Sequence, residues 1–121
     1  MARILHIGEH KVRKKVKEVL TKKGFEVISV ATAERALEHA KKERPSLVLT
    51  DVNMPKISGW ELCQKIKKIN QDIPVAFLSD LEISKERESQ LKKEGVAGYI
   101  KRPIEEKEFV VRIKKLLSNK F

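Results

Sequence analysis

Ser46-Leu47-Val48-Leu49-Thr50-Asp51-Val52-Asn53-Met54-Pro55 is the stretch on which the fold turns. Leu47 to Thr50 is an apolar run of strand length that closes on a carboxylate. Pro45 disfavours helix before the run, while Pro55 and Gly59 impose a loop before the next helical pattern. A strand, an acid and a loop in that order place Asp51 at the carboxyl end of a strand, where open α/β sheets bind their ligands. Asp51 is therefore expected on a sheet rim, held by a rigid strand and facing solvent.

Outward from this segment, two periodicities alternate. Ile4-Leu5-His6-Ile7 reads as a buried strand, and Val12, Val16, Val19 and Leu20 then recur at helical spacing until Gly24. Phe25 to Val30 is a second strand, and Thr32 is suited to cap a helix carrying Ala33, Ala36, Leu37 and Ala40 on one face. After the Asp51 loop, Leu62, Cys63, Ile66 and Ile69 mark a third helix. Pro74 introduces Val75-Ala76-Phe77-Leu78, a helix runs from about Ser84 to near Gly95, Gly98-Tyr99-Ile100 forms a fifth strand, and Phe109, Val110, Ile113, Leu116 and Leu117 lie on a last helix. Five βα units imply an α/β fold, a doubly wound parallel sheet with helices on both faces and right-handed crossovers. At 121 residues the chain has the size of one domain, residues 1–121, with no second effector domain expected. Between Ser84 and Gly95 the only large aliphatic residue is Leu91, so the fourth helix is expected to be the least stable.

Composition narrows the function. The 27 Lys and Arg against 17 Asp and Glu give a formal charge of +10, enough to ask whether nucleic acid is a partner. The basic residues are spread over nearly every helix, without aromatic stacking partners or a nucleic-acid motif, so solvated helix faces are the better reading. The single Cys63 cannot form an intramolecular disulfide, no apolar run spans a bilayer, and His6, Glu9, His10 and Lys11 interrupt any signal-peptide core. A cytoplasmic protein with no membrane partner is expected. There is no Gly-rich phosphate loop, and Asn53 stands where a haloacid-dehalogenase-type phosphatase would need its second acid.

Asp51, Asn53, Met54-Pro55, Gly59, Ser79, Tyr99 and Arg102-Pro103, in this order on these elements, resemble the receiver domains of two-component response regulators. The resemblance covers the whole chain and implies the flavodoxin-like (βα)5 fold with strand order 2-1-3-4-5. It also implies phosphoryl transfer from a histidine kinase, a phosphotransfer protein or a small phosphodonor onto Asp51. By the same resemblance Mg2+ is the cofactor, with Glu9, Asp51 and the Asn53 backbone carbonyl as ligands. Ser79 matches the hydroxyl that binds a phosphoryl oxygen, Tyr99 the aromatic that follows it, and Arg102 the fixed cation, its bond to Pro103 being cis. Phosphorylation would then switch the binding of an output protein, whose identity the sequence does not give, through the face of the fourth helix, fifth strand and fifth helix. That face is also one through which such domains dimerise. The chain would be a phospho-acceptor and not a turnover enzyme.

Four positions depart from the family pattern. Gly8-Glu9 stands where two adjacent acids are usual, and the lost outer acid should weaken Mg2+ binding. Arg102 replaces a Lys, keeping the charge but not the point geometry. Lys101 should face the other way on a regular pleat. Asp80 follows Ser79 where a small residue is common, and it would repel a phosphoryl group unless turned away or paired. These departures keep a second reading in view, a pseudo-receiver that binds proteins without phosphorylation. Elsewhere, His6 reads as a core histidine, His10 and His39 as exposed helix residues, Cys63 as an inert small hydrophobe and Trp60 as packing or loop cover.

Overall fold

In the computed structural model, which describes residues 2–118, the alternation resolves into ten elements. In chain order they are β1 (Arg3–Ile7), α1 (His10–Lys22), β2 (Glu26–Val30), α2 (Ala33–Glu43), β3 (Leu47–Thr50), α3 (Gly59–Ile69), β4 (Val75–Ser79), α4 (Lys85–Lys93), β5 (Gly98–Lys101) and α5 (Glu106–Ser118). The sheet is parallel in the order β2-β1-β3-β4-β5, as expected. Strands two to four start from the sequence patterns within a residue or two. Helix ends follow local chemistry: the Thr32, Ser58 and Ser84 side chains accept from the backbone N–H of Arg35, Glu61 and Arg87, capping α2, α3 and α4. Gly24 and Gly95, with φ of 89° and 102°, close α1 and α4 in the left-handed region.

Period-two alternation sends each strand's side chains to opposite faces, giving two cores. Leu5, Ile7, Val48, Val75, Phe77 and Tyr99 pack with Ala36, Ala40, Leu62, Cys63, Ile66 and Leu91 from α2, α3 and α4. On the other face Ile4, Leu47, Leu49, Ala76, Leu78 and Ile100 pack with Val16, Val19 and Leu20 of α1 and Phe109, Val110 and Ile113 of α5. Among the helices, α4 is thinnest in burial, with Leu91 its one buried residue. His39 differs from expectation: it is half-buried, and its Nδ1 lies 2.6 Å from Glu43 Oε2, because one helical turn brings the two side chains together. Burial pushes the Cys63 thiol pKa up, which suits an inert core residue. Among the described residues no helix is long and apolar enough to cross a membrane.

Candidate functional site

The register between β1 and β3 pairs Ile7 with Thr50, so Gly8 and Asp51 leave the sheet side by side at the topological switch point. Asp51 caps its own loop, its Oδ1 accepting the Val52 N–H at 2.7 Å. The loop is pressed back onto the strand end. Gly59 N–H donates to the Val52 carbonyl at 2.8 Å, and a Cβ on Gly59 would stand 2.2 Å from the Asp51 carbonyl oxygen. Glycine is required there by close approach of two backbones, a reason the motif does not disclose. Thr50 Oγ1 also reaches into the loop, to the Asp51 carbonyl at 3.1 Å and Met54 Sδ at 3.4 Å.

The other predicted residues gather around this rim. Arg102 Nη2 lies 3.9 Å from Asp51 Oδ2, and both side chains are 26 % exposed. The separation is an ion pair too long for a hydrogen bond, so the carboxylate oxygen stays accessible. Lys101 points away, exposed, with its Nζ 3.5 Å from Glu82, and the Arg102-Pro103 peptide is cis. Glu9 occupies the N-cap of α1 yet makes no side-chain cap, leaving an exposed carboxylate beside Asp51 in sheet order. Asp80 is exposed, on the rim of a cleft of about 490 Å³ between α1 and α5 that Glu9 and Arg102 also border. Trp60 is 40 % exposed, and its Nε1 donates to Glu94 just past α4 at 3.2 Å.

Ser79 and Tyr99 are joined through a residue that sequence patterns do not single out. Ser79, fully buried, accepts the Leu81 N–H at its Oγ at 3.2 Å, and the Tyr99 hydroxyl donates to the Leu81 carbonyl. Leu81 thus ties hydroxyl and aromatic by its backbone alone, and a backbone role leaves no mark in residue type. Tyr99 is turned inward, edge-on to Phe77 with ring centroids 6.4 Å apart. Arg13 of α1 is likewise unmarked by residue type or spacing. Its Nε donates to the Gly8 carbonyl at 3.0 Å. His6, below Gly8 on β1, is 1 % exposed, and its pKa is lowered to about 3 by burial, then by the nearby Arg13 and Arg102 charges.

Among the described residues no group of three or more His, Cys, Asp or Glu is arranged to hold a metal ion. The donors at the rim are the Asp51 and Glu9 carboxylates and the carbonyl of exposed Asn53. Two carboxylates and a carbonyl, all hard oxygens, fit a small divalent cation that keeps several of its waters. Chemically, the rim offers a nucleophile-competent carboxylate, a facing guanidinium and a buried hydroxyl, the parts phosphoryl transfer needs.

Comparison with known proteins identifies the family. The family model described as response regulator receiver domain matches residues 8–114. A probable transcriptional regulator, ycf27, of Porphyridium aerugineum is 36% identical over 109 residues, which is 90% of this chain and 45% of that protein. Histidine kinase P4 of Formosa agariphila is 32% identical over 121 residues, 97% of this chain and 9% of the kinase. The chain thus spans less than half the length of these relatives. A response regulator receiver domain protein from Clostridium thermocellum has a structure that matches with a TM-score of 0.88 at 26% identity, over 99% of this chain and 97% of that one.

Proposed function

This chain belongs to the response regulator receiver family, and we propose that it accepts a phosphoryl group on Asp51 from a histidine kinase or phosphotransfer protein. The observation that carries the reading is the Asp51 carboxylate itself. Its Oδ1 is occupied by the Val52 N–H, while Oδ2 faces Arg102 at a distance that leaves it open. In the proposed step an Asp51 oxygen forms the new bond to phosphorus as the bond to the donor nitrogen breaks. Arg102 meets the charge on the phosphoryl oxygens, and the Ser79 hydroxyl donates to one of them while its oxygen keeps the Leu81 N–H. Glu9, Asp51 and the Asn53 carbonyl would hold Mg2+, which when bound offsets the negative charge shared by carboxylate and phosphoryl group. With Gly8 in place of an acid, Mg2+ affinity is expected to be low. The chain is then a stoichiometric acceptor and not a turnover enzyme.

Movement of Ser79 would pull on Leu81 and through it on Tyr99, carrying the signal toward α4, β5 and α5, where an output protein or a second copy would dock. The kinase relative supports a histidine kinase as phosphodonor, and the transcriptional-regulator relative supports an output that alters another domain or protein. The phosphorylation-independent alternative draws on Gly8, Asp80 and Arg102, but none of these blocks the Asp51 carboxylate. Incubation with acetyl phosphate or phosphoramidate and Mg2+ separates the two readings. The expected result is a base-labile gain of one phosphoryl mass that Asp51→Ala abolishes; no adduct at saturating donor and metal sinks the phosphorylation reading.

A further inference from the structure

The two ends of α4 are held very differently. Its N-terminal half is bare: Lys85, Glu86, Arg87, Ser89 and Gln90 are exposed, and Glu88 is half-buried. The loop ahead of it rests on half-buried Ile83 and on the Leu81 backbone, which Ser79 and Tyr99 hold by one hydrogen bond each. From Leu91 onward the chain is fastened. Leu91 and Val96 are buried, and the Val96 N–H returns to the Leu91 carbonyl at 3.0 Å. The Ala97 N–H then donates to the Val75 carbonyl at 2.7 Å, which stitches the helix exit to the start of β4. Glu94, the C-cap, adds a side-chain tie by accepting the Trp60 indole N–H at 3.2 Å. A carboxylate is unfavourable at the negative end of a helix dipole, so an acid in this place calls for a donor. Trp60 supplies one from the first turn of α3, one residue past the Gly59 that lies against the Asp51 carbonyl.

We propose that α4 is a lever pinned at its C-terminal end: the Trp60 to Glu94 hydrogen bond, with Leu91 and Val96, is the fulcrum, and Lys85 to Gln90 is the arm that swings. Sliding of the whole helix would break the Ala97 to Val75 bond and pull Val96 from the core, whereas a tilt about Leu91 keeps both. The arm has no buried side chain to hold it back. Its free end joins the loop that carries Leu81, so a small displacement there becomes a change in direction of an exposed helical surface. The pin sits on the Asp51 loop through Gly59, which makes the nucleophile's own scaffold the reference for the movement. That the arm answers to Asp51 rests on the phosphoryl-receiving reading; the pinned end does not.

The test is residue-resolved hydrogen exchange on the full chain. In the unmodified chain the Glu88 to Gln90 amides should exchange about tenfold faster than those of Glu94 to Val96, as expected of an open end against a fastened one. Trp60→Phe keeps an aromatic ring but removes the donor, and should speed exchange at Glu94 to Val96 about fivefold, the scale of one hydrogen bond, while leaving the arm as it was. Glu94→Ala, an exposed change that keeps the pin testable if Trp60→Phe folds poorly, should do the same. Glu94→Gln retains the Oε1 acceptor and should preserve protection, and Trp60→Phe with Glu94→Ala should lose no more than either alone. The chain has a single tryptophan, so one indole N–H resonance reads the bond directly and should lose its protection in Glu94→Ala. With beryllofluoride as the phosphoryl probe, exchange should change over Lys85 to Gln90 and not over Glu94 to Val96; in Trp60→Phe the change should spread to both. A flat profile along α4, an indole N–H indifferent to Glu94→Ala, or a beryllofluoride response centred on Glu94 to Val96 overturns the proposal. Failure of beryllofluoride to bind at all would count against the proposed function, leaving the measurements on the unmodified chain and its variants to decide the pin.

Discussion

At the β1 and β3 end of the sheet rim, the Asp51 loop is clamped by backbone contact with Gly59 and lies above a helix, α3, that buries Leu62, Cys63 and Ile66. At the β4 and β5 end, Ser79, Leu81 and Tyr99 are joined by two hydrogen bonds, and the neighbouring α4 is held by Leu91 alone. The contrast assigns different mechanical duties to the two halves. A nucleophile must keep its position when the phosphoryl group arrives, which calls for dense packing behind it. A reporting surface must have a second arrangement within reach, which calls for few buried contacts. Both ends of one sheet are built accordingly, and the difference can be broken from either side.

The largest effect is expected at the fixed end. Gly59→Ala forces a methyl group against the Asp51 carbonyl, and denaturant unfolding should show a loss of about 3 kcal/mol. An unchanged midpoint would mean that the loop is not clamped. At the movable end, Leu91→Ala should cost about 2 kcal/mol, the low end for a buried leucine. Hydrogen exchange should show that loss as amide protection vanishing across α4 while α3 keeps its own. Loss of protection in both helices together would erase the contrast between the halves.

A third effect probes the ground beneath Gly8. The folded chain resists protonating His6, whereas the unfolded chain takes up that proton near the ordinary histidine value of 6.5. Stability contributed by keeping His6 neutral is therefore full above 6.5 and declines as pH falls toward about 3, where the folded state also protonates. The difference in unfolding free energy between the unmodified chain and His6→Leu should change by up to about 1.4 kcal/mol per pH unit in that window. A flat difference would mean that His6 is not held neutral. The smallest effect belongs to the reporting end: Tyr99→Phe removes the bond to the Leu81 carbonyl and should cost about 1 kcal/mol. The same variant should make α4 exchange insensitive to phosphorylation of Asp51, readable by hydrogen exchange with and without phosphodonor.

Much of the fold could be read in the residues because each unit announces itself locally. Pro45, Pro55 and Pro74 punctuate strands, Thr32, Ser58 and Ser84 are capping residue types, and the apolar spacing changes between two and about 3.6 from unit to unit. Strand order was another matter. Local periodicity says that strands are parallel and buried but not which are neighbours, and only the resemblance to receivers supplied 2-1-3-4-5. Within the site, residue types marked Asp51, Ser79, Tyr99 and Arg102 but not Leu81, whose part is played by its N–H and carbonyl. Nor did they mark Arg13, one basic residue among many on α1 until its Nε is seen on the Gly8 carbonyl.

By itself the sequence determined the order of elements, the carboxylate at the end of the third strand and the departures at Gly8, Asp80 and Arg102, because these depend on residue identity and spacing along the chain. Tertiary structure alone decided what the departures mean to one another. Gly8 follows His6 by two residues, and the pleat sets the imidazole against the place a side chain at position 8 would take, while Arg102, most of the chain away, is brought to 3.9 Å from Asp51. Whether a missing side chain is a loss or an accommodation depends on what occupies its volume, and volume is settled only when distant strands are packed side by side.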